Sequence, residues 1–180
     1  MGRGLATLLL MGAALGPQPV CAKVFLSVTE ALTLAFPDCD VERETVFLTT
    51  AQQERAAMLA GSEIRSKIVY PYRAVCEDDV VGVAYFDTHR VRTMDETLMV
   101  VVDARSRVVR VEILSFREPV DYIPRGAWYD QFVSQPLHED LRLKKRIRTV
   151  TGATLTARAT ELAVRRVLAL HAVLSDRETR

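Results

Sequence analysis

The stretch TLMVVVDARSRVVRVEIL, residues 97–114, decides the fold. Two runs rich in β-branched residues flank Asp103-Ala104-Arg105-Ser106, a composition suited to a tight turn. The spacing predicts strands over Thr97–Ala104 and Arg107–Phe116 joined as a hairpin. Upstream, KIVYPYRAV (Lys67–Val75) and DVVGVAYFD (Asp79–Asp87) carry the same enrichment. Four such runs with short connections make a meander, and hence an antiparallel sheet.

Helical patterns flank these strands. Ser27-Val28-Thr29-Glu30 has the form of a capping box, and the amphipathic run behind it stops before Pro37. DVERETVFL (Asp40–Leu48) alternates as a strand. Thr50 to Gln53 is a second capping-box pattern, opening a helix that Gly61 ends as a C-cap. GAWYDQFV (Gly126–Val133) is read as one or two helical turns. In LRLKKRIRTV, Leu141, Leu143 and Ile147 fall on one side. Arg142, Lys144, Arg146 and Arg148 fall on the other, the pattern of a half-buried strand with a basic outer face. The last helix is expected over Leu155–Leu174, with Ala159, Leu162, Ala163, Val167 and Leu170 facing the core. The fold class is α+β: a single domain with a twisted antiparallel sheet and helices packed on it.

Composition narrows the function. The chain has 180 residues, 49% hydrophobic and 26% charged, with a net charge of +1. That fits one globular domain and gives no global pull toward nucleic acid. At the N-terminus, Arg3 precedes an apolar run from Leu5 to Leu15, too short to span a bilayer. The pattern is that of a secretory signal peptide over residues 1–22, cut after Val20-Cys21-Ala22. Lipidation at Cys21 and an uncleaved anchor are the other readings. Export would leave Cys39 and Cys76, either as a disulfide or as two separate thiols.

Several chemistries lack their residues. His89, His138 and His171 have no metal-ligand spacing, and no CxxC, GxSxG, Walker or GxGxxG motif occurs. No catalytic residue is nominated. The basic run Arg142–Arg148 is either a contact for an anion or the solvated face of an edge strand.

That leaves Thr151-Gly152-Ala153-Thr154, between the basic run and the last helix. On structural grounds Gly152 supplies a turn, and Thr154 or Thr156 caps the helix. On chemical grounds the small residues leave the Thr154 hydroxyl uncovered. Helix N–H groups and the helix dipole make the same place suited to a phosphate.

TVTGATLT followed by a helix resembles the flavinylation motif of the FMN-binding domain family. That family includes the covalent-FMN subunits of the sodium-translocating NADH:quinone reductase and of the Rnf complexes. The likeness extends to the hairpin TLMVVVDARSRVVRVEIL and to FREPVDYIPRGAWYDQF, which is similar to the family's Glu- and Pro-containing loop and following helix. It spans roughly Val80 to Leu174.

The resemblance implies that residues 23–180 form an FMN-binding domain. An FAD:protein FMN transferase would join FMN to Thr154 through a phosphoester. Thr151, Gly152 and Ala153 would form the recognition turn, with Leu155 and Thr156 beside it. Tyr122, Trp128 and Tyr129, the nearest aromatics, either offer faces to the flavin ring or are ordinary core or surface aromatics; Glu118 and Asp121 would orient the loop. Arg148 stands where the family often has an acid; a cation near the ring favours the reduced, anionic flavin. The implied function is an exported, periplasmic electron carrier at the outer face of the membrane, serving a membrane or periplasmic redox partner. Two alternatives are a flavin-free secreted module in which TGAT only caps a helix, and a reductase with non-covalent FMN.

Overall fold

The computed structural model describes residues 23–178, so the leader reading falls outside it. The fold is α+β. The main sheet is antiparallel and has six strands in the order β1-β8-β7-β6-β5-β2. These are β1 (Lys23–Val24), β2 (Asp40–Arg43), β5 (Tyr72–Cys76), β6 (Asp79–Arg90), β7 (Asp95–Val102) and β8 (Val108–Phe116). A separate two-stranded sheet pairs β3 (Val46–Phe47) with β4 (Ile68–Val69), with α2 lying between them in the chain. The helices are α1 (Val28–Ala35), α2 (Thr50–Ala60) and α3 (Thr154–Glu178), with 3-10 turns at Val120–Tyr122 and Gly126–Phe132.

The meander expected from the sequence is present as β5-β6-β7-β8. The turn between β7 and β8 closes where Asp103 Oδ1 accepts from the amides of Arg105 and Arg107, at 2.9 and 2.8 Å. Because side chains alternate along β7, Val100 and Val102 enter one core while Met99 and Val101 enter another. The first core packs against α2, α3 and the second 3-10 turn; the second core includes Ala31 of α1.

Three local expectations change. The capping box of α2 is Thr49 with Gln52, one residue earlier than Thr50 with Gln53. Asp40–Leu48 is split into β2 and β3. The stretch 141–150 is an irregular loop, not a strand, so no strand feeds the TGAT turn. Leu141 and Ile147 are fully buried as the alternation foretold. Strict alternation, however, puts Lys145 inward between Leu143 and Ile147, and an ammonium group is not buried there. The chain turns outward instead: Lys144 takes a φ of 66°, and its amide bonds Ile147 O at 2.9 Å. Lys145 pairs with Asp140, which holds that carboxyl below its usual range.

The loop is held from above by α3. Glu161 accepts from the Leu143 amide at 2.9 Å. Arg165 donates to the carbonyls of Ala60, Leu59 and His138 at 2.8, 3.0 and 2.6 Å. Two of those carbonyls end α2, so one guanidinium satisfies groups that a helix end leaves open. Gly61 closes the same end as the expected C-cap, at φ 68°. Lower on α3, Arg166 grips Asp87 of β6 with two bonds, at 2.9 and 2.7 Å.

Cys39 and Cys76 form a disulfide across a separation of 37 residues, with Cα atoms 4.6 Å apart. Closing a loop of that length stabilises the fold by about 4 kcal/mol through the unfolded chain's lost freedom.

Candidate functional site

The TGAT turn ends at the first residue of α3, and each of its residues has a distinct place. Thr151 and Gly152 are exposed, Ala153 is buried, and Thr154 is exposed. Gly152 sits at φ 84°, the left-handed region that favours glycine. A methyl group there would meet nothing within 4 Å, so the demand is conformational and not steric. Ala153 turns its methyl into the protein, and its carbonyl takes the first helical bond, from Ala157 N at 2.9 Å.

Neither threonine caps the helix. Thr154 Oγ1 donates backward to Val150 O at 3.1 Å. Thr156 is buried, and its Oγ1 donates to Tyr122 O at 2.6 Å. The N-cap position thus belongs to alanine, among the poorest caps. Among the described residues, the amides of Thr154, Leu155 and Thr156 have no acceptor. A helix of 25 residues therefore opens with free donors and the positive end of its dipole.

That end faces a hollow of about 240 Å³, lined by Gly152 to Thr156, Tyr122 and Arg92. Tyr122 enters through the bond its carbonyl accepts from Thr156. Arg92 lies in the turn between β6 and β7, with its guanidinium 5.2 Å from the Tyr122 ring centroid. This pairing puts a cation and an aromatic ring in the hollow that Thr154 also lines.

Glu118 acts one step back. Its Oε1 accepts from Thr93 N, Thr93 Oγ1 and Met94 N, at 2.7, 3.0 and 3.0 Å. These bonds, chiefly that from the Thr93 amide, hold its carboxyl below the usual range. They also fix the turn that carries Arg92. Asp121 is exposed and pairs with Arg125 at 3.4 Å.

The remaining nominated residues lie elsewhere. Trp128 is buried, edge-on to Tyr129 and Phe132 with ring centroids 5.2 and 5.5 Å away. Its Nε1 donates to Arg148 O at 2.8 Å. Tyr129 belongs to the same packed group, and burial pushes its hydroxyl well above the usual tyrosine range. Neither ring lines the hollow. Arg148 turns to Gln131, whose Oε1 accepts from its amide and Nε at 2.9 and 3.2 Å. The structure thus brings Gly152, Ala153, Thr154, Leu155, Thr156 and Tyr122 together, and adds Arg92 in place of Arg148. Nothing in the sequence around Arg92 marks it, because its approach depends on how β6 and β7 turn.

An anion with an apolar or aromatic body fits this arrangement. The donors and Arg92 suit the anion, and Tyr122 with the half-exposed Leu155 suits the body. No family model matches the sequence, and no curated protein is significantly similar to it.

Proposed function

We propose that this protein is an electron carrier that holds FMN through a phosphoester on Thr154. The observation that carries the reading is the exposed Thr154 at an uncapped helix start, lining one hollow with Arg92 and Tyr122. A helix cap would direct a hydroxyl oxygen at the first-turn amides; here both hydroxyls point away, leaving those amides to another acceptor.

In the attachment step, Thr154 Oγ1 forms a bond to the FMN phosphorus of FAD. The pyrophosphate bond breaks, AMP leaves, and the hydroxyl proton passes to a base on the FMN transferase. The helix amides and Arg92 then face the phosphodiester, whose remaining charge they offset. Thr156 fixes the Tyr122 loop against α3, and Glu118 fixes the turn bearing Arg92. Bound FMN supplies one- and two-electron redox chemistry. The chain's residues supply attachment, charge and an aromatic wall. The proposed partners are the transferase and a membrane or periplasmic redox protein, with the carrier on the outer side of the membrane. Among the described residues no helix is long and apolar enough to cross one.

Intact mass tests the reading. The protein, co-expressed with an FMN transferase, is expected to gain the mass of FMN less water, and Thr154→Ala to gain none. Unmodified, colourless protein in both cases would overturn it.

A further inference from the structure

β6 is longer than its outer neighbour. β7 pairs with it from Val83 to Arg90, but β5 reaches only Ala84, the partner of Tyr72. Just before Tyr72, Pro71 supplies no amide for a ladder, and the chain leaves β6. It runs back through Tyr70 into β4, which pairs with β3 on one side only. Phe86–Arg90 and β4 are thus two strand edges without a ladder partner on one side, among the described residues.

Both edges line one cavity of about 590 Å³. Ile68, Val69 and Tyr70 lie on one bank and Phe86 to Arg90 on the other. Leu162, Val167 and Leu170 of α3 add an apolar wall. The free edge of five residues, Phe86–Arg90, is about 17 Å long at strand spacing.

The charge around the cavity is uneven. Arg43, Arg65, Arg90 and Arg166 line it, against Glu63 and Asp87. Arg166 is consumed by Asp87, and Arg65 stands 3.5 Å from Glu63. Arg43 and Arg90 remain in excess. Arg43 stacks over the Tyr70 ring at 4.1 Å, and Arg90 has only a loose exposed contact with Asp95, at 3.8 Å.

We infer that this slot takes an extended, acidic segment of a partner protein, entering as an added strand between β6 and β4. The free edges offer main-chain bonds, the apolar wall accepts alternate side chains, and Arg43 and Arg90 select acids among the others. A second copy of this chain fits poorly, because an isologous contact would bring its own Arg43 and Arg90 to the same groove. The inference is independent of the flavin reading.

A phage-displayed library of random heptapeptides, selected on the full protein, tests it. The expected winners alternate apolar and acidic residues. A synthetic winner is expected to bind the doubly substituted Arg43→Glu, Arg90→Glu protein about tenfold more weakly or worse. Methylating alternate peptide nitrogens in the winner is expected to abolish binding in at least one of the two registers. On binding, the amide signals of Ile68–Tyr70 and Phe86–Arg90 shift together. Both substituted arginines are exposed, so circular dichroism of the double variant should match the parent. No enrichment, winners without acids, indifference to charge reversal or to methylation, or shifts confined to another surface would each overturn the inference.

Discussion

The starts of α2 and α3 solve the same problem in opposite ways. At α2, Thr49 Oγ1 accepts from the Gln52 amide and Gln52 Oε1 accepts from the Thr49 amide, at 3.2 and 2.9 Å. That end is closed by its own side chains. At α3, a helix more than twice as long, the cap position is alanine and both nearby threonines donate elsewhere. The closed end is the cheaper one to build, since a good cap contributes about 1 kcal/mol. The longer helix is left open at an exposed threonine, in a hollow it shares with a cation, and the proposed attachment of FMN would use that opening.

The contrast can be broken by substitution. The largest expected effect is at Thr154: on the proposed reading, Thr154→Ala is expected to remove flavin attachment outright, read by intact mass. Its thermal midpoint stays close to the parent's, because the bond lost is exposed. Next comes Thr156→Val, which leaves the Tyr122 carbonyl beside a methyl group. Denaturant titration should show a loss of about 1–3 kcal/mol, with less flavin attached because the Tyr122 wall loosens. Gly152→Ala forces a side chain into left-handed backbone and should cost about 1–2 kcal/mol, again with poorer attachment. Thr49→Ala is the control at the closed end. It should cost about 1 kcal/mol and leave flavin attachment unchanged. If Thr49→Ala impaired attachment as much as Gly152→Ala, the distinction between the two helix starts would fail.

The smallest effect is a pH dependence. Glu118 is held below its unfolded value, which for a free glutamate is about 4.3. Its contribution is therefore fully present above that value and is lost as pH falls through the folded one. The β6–β7 turn should loosen on acidification below the free-glutamate value, seen as lower amide protection factors at Thr93 and Met94. Glu118→Gln should abolish the acid-side change.

Much of this was readable in the sequence. The meander was legible because β-branched runs and an Asp-initiated turn act locally. The helix over Leu155–Leu174 was legible from its periodic alanines, leucines and valines. Gly152 was legible as a turn because only its backbone freedom was at stake. The strand assigned to 141–150 failed at one residue, Lys145, which strict alternation places inside. Trp128 and Arg148 stand close to the motif in sequence and bond one another through Trp128 Nε1 and Arg148 O, yet they lie off the hollow. Arg92 is about 60 residues from the motif and arrives because β6 and β7 carry their connecting turn to the start of α3. Sequence reading pointed to Arg148 and had no reason to notice Arg92, since sheet register and not chain proximity sets which residues line the hollow.

The bond between Cys39 and Cys76 makes the molecule's ruggedness a property of its surroundings. Where thiols stay reduced the clip is open, and about 4 kcal/mol of its worth is missing, roughly a thousandfold in the ratio of folded to unfolded chains. Protein prepared in a reducing cytosol and protein prepared in an oxidising compartment are thus different starting materials. A comparison of variants is sound only when every preparation has the same thiol titre.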